Sequence, residues 1–231
     1  KEILNKKGLI KVGLLNFLFE GKDFTTYPDR VIKDFFTLNI DGFDIIFRNL
    51  PNYKLIEKIL RNNKRIMLTS EIEISNSNSI ETKDLVNNIK WLLSYSQKTL
   101  ISKLYTKLIV DNEEQLFVLN YDKKYNWANS KFIEVSRSYG DYLEQFLQET
   151  YKNFKDKKID LKLIEIIDII CQSEIAKILE TRYLLLSCAL DLCIGVIIDS
   201  KKIEIEKDID VIQNIINTIN KYLSKNGIEL D

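Results

Sequence analysis

Near Phe132 the spacing of apolar residues changes, and that change constrains the fold more than any other feature of the chain. Before it, apolar residues sit in short runs or alternate with polar ones, the two-residue period of strands. After it they recur every three to four residues, the period of helices. The reading is α+β: an antiparallel β-rich domain over 1–130 carrying one or two short helices, then a helical bundle over 131–231. A length of 231 residues suffices for one good core or two modest ones.

In the first half, Leu9–Phe19 reads as a strand and Gly21–Pro28 as a loop. Val31–Ile40 and Phe43–Leu50 are β-prone runs joined by Asp41-Gly42, the residue pair a type I′ hairpin turn requires. Tyr53–Arg61 suits a short helix or a loop, and Arg65–Ile74 a strand. A helix is predicted over Glu81–Ser96, capped by Ser79 or Thr82. Leu100–Val110 and Leu116–Tyr121 form a second hairpin around Asp111–Glu114. In the second half, helices are predicted over Ser138–Lys155, Leu161–Cys171, Ser173–Ile198 and Asp208–Lys225. The first uses Tyr142, Phe146, Thr150 and Phe154 as its apolar face. The apolar run Tyr183–Ile198 is shorter than the ~20 residues a bilayer needs and is interrupted by Asp191. It is expected to be a buried helix, with no membrane involved.

Chemistry is limited by what the chain lacks. With 0 His there is no Ser–His–Asp or Cys–His catalysis, no histidine-ligated zinc and no histidine base. The 34 basic and 34 acidic side chains cancel, so whole-molecule attraction to nucleic acid or anionic membrane is not supported. Cys171, Cys188 and Cys193 are odd in number and lie in apolar helical stretches. That fits a reducing cytosol and core positions better than disulfides or a metal site. The Gly8-x4-Gly13 spacing lacks the Lys-Ser/Thr pair of a phosphate loop, since Leu14-Leu15 follow. No catalytic residue, metal ligand or cofactor is assigned.

Three groups remain. Glu71 and Glu73 share one face of a strand, where paired carboxylates hold metal or perform acid–base work, or merely face solvent. Glu180, Ser187 and Asp191 form a polar stripe on the third helix, with Arg182 close by. Such a stripe is an inter-subunit or cleft network, or a structural ion pair on a partly exposed face. Lys123, Lys124, Tyr125, Trp127, Lys131 and Arg137 mix cations with aromatics around one loop after Tyr121. That mixture suits single-stranded nucleic acid, a sugar or a peptide, and equally a loop anchored by its rings.

The segments IKWLLSYS (89–96), FLQETYKNF (146–154), IIDIICQS (166–173) and LETRYLLLSCALDL (179–192) carry a further indication. Their order over Asp84–Cys193 resembles bacterial two-part proteins of the ApeA type, with a β-rich N-terminal domain and a C-terminal HEPN helical bundle. The resemblance implies a cytoplasmic antiviral-defence protein whose sensor domain is coupled to a dimerising RNA-cutting bundle. RNA or a phage-derived protein trigger is the implied partner. HEPN nucleases use Arg followed four to six residues later by His, and no His is present. Either the catalytic helix lies beyond Asp231 in a longer parent, or this member is not a nuclease. The expectation is a non-catalytic sensor and scaffold, with the apolar third and fourth helices serving as dimer face or as core. A binding module acting through the β domain and the 121–131 loop is the alternative, and a carboxylate- or metal-dependent enzyme a third.

Overall fold

The computed structural model describes residues 6–27, 30–51, 53–63, 66–78, 80–111, 113–118, 133 and 141–201. The α+β architecture is as expected: a seven-stranded antiparallel sheet belonging to the N-terminal part, followed by helices. The elements are β1 (Gly8–Leu15), β2 (Asp23–Tyr27), β3 (Arg30–Ile40), β4 (Phe43–Asn49), α1 (Tyr53–Asn63), β5 (Leu68–Ser77), α2 (Glu81–Gln97), β6 (Ser102–Val110), β7 (Glu113–Val118), α3 (Asp141–Lys157), α4 (Leu163–Ile175) and α5 (Leu179–Lys201).

Strand order is β2-β3-β4-β5-β1-β6-β7. The β3–β4 hairpin closes through Asp41 and Gly42, both at positive φ (55° and 79°), as the type I′ turn demands. The first strand instead docks between β5 and β6, far from its neighbour in sequence. It ends at Leu15, where Asn16 adopts φ 56°. The following segment crosses the end of the sheet, and the Phe17 amide donates to Thr69 Oγ1 at 2.8 Å. Asn49 Nδ2 donates to the Phe19 carbonyl at 2.6 Å.

One face of the sheet is the core. Ile10, Val12 and Leu14 of β1 meet Phe36, Leu38 and Ile40 of β3, Ile45 and Phe47 of β4, and Ile72 and Ile74 of β5. The rings of Phe36 and Phe47 stack with centroids 4.7 Å apart, and Phe19 meets Phe36 edge-on at 5.0 Å. The same cluster takes in Leu85, Ile89 and Leu93 of α2, Leu147 and Phe154 of α3, and Ile167 and Cys171 of α4. Side chains from both halves of the chain therefore share one apolar cluster.

Several details depart from the sequence reading. The 21–28 loop contains β2, a strand too polar at Thr25 and Thr26 to show by hydropathy. Glu113 and Glu114, read as turn, already pair in β7. Helix α2 is capped by Asn78, whose Oδ1 accepts from the Ile80 and Glu81 amides at 3.0 and 2.8 Å. Thr82 instead donates to the Asn78 carbonyl, and Ser79 lies outside the described residues. Helix α3 buries Leu143, Leu147, Tyr151 and Phe154, leaving Tyr142 exposed, so its inner face is turned from the one expected. The largest departure is α5. The apolar run read as a buried helix is an exposed one: Tyr183, Leu184 and Leu190 are 60–66% accessible. The reason is tertiary, since α5 lies against α4 outside the sheet core, with Ala189 and Val196 its buried residues. Residues 179–198, with mean hydropathy 1.8, are long and apolar enough to cross a membrane by length and composition. The predicted helix at 208–225 lies outside the described residues.

Candidate functional site

The second face of the sheet carries the polar side chains. In strands, residues paired across the ladder share a face. Lys11 of β1 pairs with Glu73 of β5 and Lys107 of β6, while Gly13 pairs with Glu71 and Tyr105. Arg48 of β4 pairs with Glu71, which extends the row across four strands. All these side chains are partly buried. Lys11 Nζ donates to Glu73 Oε1 at 2.6 Å, and the Tyr105 hydroxyl donates to Glu71 Oε1. Lys107 reaches Glu114 at 2.8 Å. Arg48 stacks over Phe35, 4.6 Å from the ring centroid, and donates to Thr25 Oγ1 at 2.9 Å.

Gly13 makes this arrangement possible. A Cβ there would stand 2.5 Å from the Tyr105 ring and 2.8 Å from Leu68. Without it, the tyrosine lies across β1 and reaches a carboxylate two strands away. The phosphate-loop spacing noted in the sequence is thus a strand with a ring laid over its second glycine. Burial, then the hydrogen bond to Glu71, then that carboxylate's charge raise the Tyr105 pKa. The tyrosine is held as a neutral donor.

These contacts decide what Glu71 and Glu73 can do. One accepts from a phenol and the other from an ammonium, so both are occupied as acceptors within the sheet. Among the described residues no group of three His, Cys, Asp or Glu is placed to hold a metal ion. A cleft of about 90 Å³ at the β6–β7 end, lined by Lys6, Asp111, Glu113 and Gln115, has room for a few waters.

The stripe on α5 is on the surface. Glu180, Ser187 and Asp191 are exposed, and Arg182 pairs with Glu174 of α4 at 2.6 Å. The loop candidates Lys123, Lys124, Tyr125, Trp127, Lys131 and Arg137 lie outside the described residues. Cys171 is buried, Cys188 exposed and Cys193 half-buried, and all three are free thiols. Burial, aided by the charges of Asp168 and Glu174, pushes the Cys171 thiol up to about 12.

Sequence reasoning missed Lys11, Arg48, Tyr105 and Lys107. Alternation along each strand gives their common face, but only the placement of β1 between β5 and β6 brings them into one row. A second cationic group was also missed. Lys90 stands over the Trp91 ring at 4.2 Å. Burial lowers the pKa of both Lys90 and Lys103, and a neighbouring lysine lowers each further. Lys83 and Lys90 are seven apart on α2, a legible signal, whereas Lys103 joins them only through the fold.

Fold and surface together define an α+β protein with one polar sheet face and one apolar helix face, both turned outward. Compared with known proteins, the chain matches no family model, no curated protein and no solved structure.

Proposed function

We propose that this protein works by recognition and assembly rather than by bond-making, as the sensor and scaffold part of a HEPN-type, RNA-targeting defence effector. The observation that carries the reading is α5, whose large apolar side chains are exposed over five turns. Contiguous apolar surface on that scale marks a contact with another body. The polar side chains of the second sheet face support it as well, because they are engaged with one another rather than poised around a substrate. The finer assignment, to HEPN-type defence with RNA or a phage protein as trigger, rests on the resemblance over residues 84–193. Three free thiols favour a reducing, cytoplasmic setting.

The test is incubation of the purified chain with end-labelled single-stranded RNA. The RNA is expected to stay intact at every protein concentration. Cleavage that follows the protein through successive purification steps overturns the reading.

A second reading is favoured by Phe35, Arg48 and Tyr105, which bring aromatic and cationic groups onto one sheet face. It is a binding module for a sugar, a peptide or single-stranded nucleic acid. Arg48→Ala is expected to weaken binding if that face is the site. Lys124→Ala and Trp127→Ala do so if the 121–131 loop is.

A further inference from the structure

We propose that Lys83, Lys90 and Lys103 form a binding site for the phosphate chain of a small molecule, a di- or triphosphate. The site lies between α2 and β6 and does not depend on the assembly reading above.

A bulge in β6 builds it. Gly13 of β1 pairs with Tyr105, but the next residue, Leu14, pairs with Lys103, so Leu104 is an extra residue in the strand. Strict alternation would put Lys103 on the face of Tyr105 and Lys107. The extra residue turns it over to the face of Leu14, its partner in the ladder. Leu14 belongs to the same buried cluster as Leu85, Ile89 and Leu93 of α2. Lys103 is thereby delivered to the helix-covered side of the sheet.

Helix α2 supplies the other two cations. Lys83 and Lys90 are two turns apart on one side of it, about 10 Å along the axis. Lys103 lies within electrostatic reach of both. The Trp91 ring, 4.2 Å from Lys90 Nζ, steadies that ammonium. Lys90 and Lys103 are half-buried and Lys83 is exposed. Among the described residues none of the three makes an ion pair. Asp168 of α4 offsets part of the charge at Lys90, and its carboxylate already accepts from Gln172 Nε2 at 2.7 Å. Like charges brought together and drawn partly out of water carry a cost that a bound anion relieves.

The spacing selects the anion. Cations spread over two helical turns suit a chain of phosphates better than a single one. They converge between one helix and one strand instead of following a track along the surface, and the chain carries no net charge. A nucleic-acid strand needs such a track.

The experiment is thermal denaturation of the full chain with inorganic tripolyphosphate as the probe, at physiological salt. At roughly one hundred times its Kd, the probe is expected to raise the wild-type midpoint by about 5–10 °C. Lys103→Met is expected to melt no lower than the wild type without the probe, because it removes an uncompensated charge, and to lose the rise. By calorimetry its affinity for tripolyphosphate is expected to fall at least tenfold. Lys107→Met, on the opposite face of the sheet, is expected to respond as the wild type does. Three results overturn the proposal. One is a wild-type midpoint indifferent to tripolyphosphate. Another is a rise of equal size in Lys103→Met. The third is a single-stranded RNA that binds through Lys103 where tripolyphosphate does not. RNA cleavage is not read in any of these, so this proposal and the non-catalytic reading fail separately.

Discussion

Gly13 is required as glycine by a ring on the next strand, not by its own backbone. Any side chain at 13 displaces the Tyr105 ring that stands 2.5 Å from where its Cβ would be. Gly13→Ala is expected to destabilise the protein by about 1–3 kcal/mol, measured by urea unfolding, with Tyr105→Phe in the same background recovering little. The tyrosine also sets an alkaline limit. Its pKa is raised in the folded state, so above about pH 10 the unfolded chain loses that proton first. Stability is therefore intact below that pH and declines as pH rises. Cys171 acts in the same direction from about pH 9. A urea midpoint followed from pH 8 to 11 is expected to fall, and to fall less steeply in Tyr105→Phe. A flat profile in the wild type contradicts the assignment. The pairing of Tyr105 with Glu71 was not legible in the sequence, because Gly13 lies between them only once β1 has chosen its neighbours.

Elements were more legible than residues. Asp41-Gly42 and the alternation on either side suffice to write the β3–β4 hairpin, because turn chemistry is local. Helix α2 was equally plain from Leu85, Ile89, Leu92 and Leu93. Its cap was not, since Asn78, Ser79 and Thr82 are all capping types and only geometry selects Asn78. Asn78→Ala is expected to cost about 1 kcal/mol and Thr82→Ala less, by thermal denaturation; the reverse order would return the cap to Thr82. Strand β2 escaped notice because an edge strand needs few apolar residues. The face of α3 was misplaced by one position because Tyr142 and Phe146 look apolar in sequence, whereas the sheet beneath it accepts Leu143 and Leu147.

At the scale of the molecule, α3 and α4 belong to the same apolar cluster as the sheet. Leu147→Ala is accordingly expected to cost about 2–5 kcal/mol. The loss should appear in one cooperative transition, followed together by tryptophan fluorescence and far-ultraviolet circular dichroism. Two separated transitions would show that the helices and the sheet melt independently. The sequence by itself determined the α+β class, the hairpin turn, the periods of most elements and the want of a histidine, all of which depend on residues close together in the chain. Only the tertiary structure decided that β1 sits between β5 and β6, that Glu71 and Glu73 are held by Tyr105 and Lys11, and that the most apolar helix faces outward. These depend on which surfaces meet over long separations in sequence, and hydropathy records how apolar a segment is but not what lies against it.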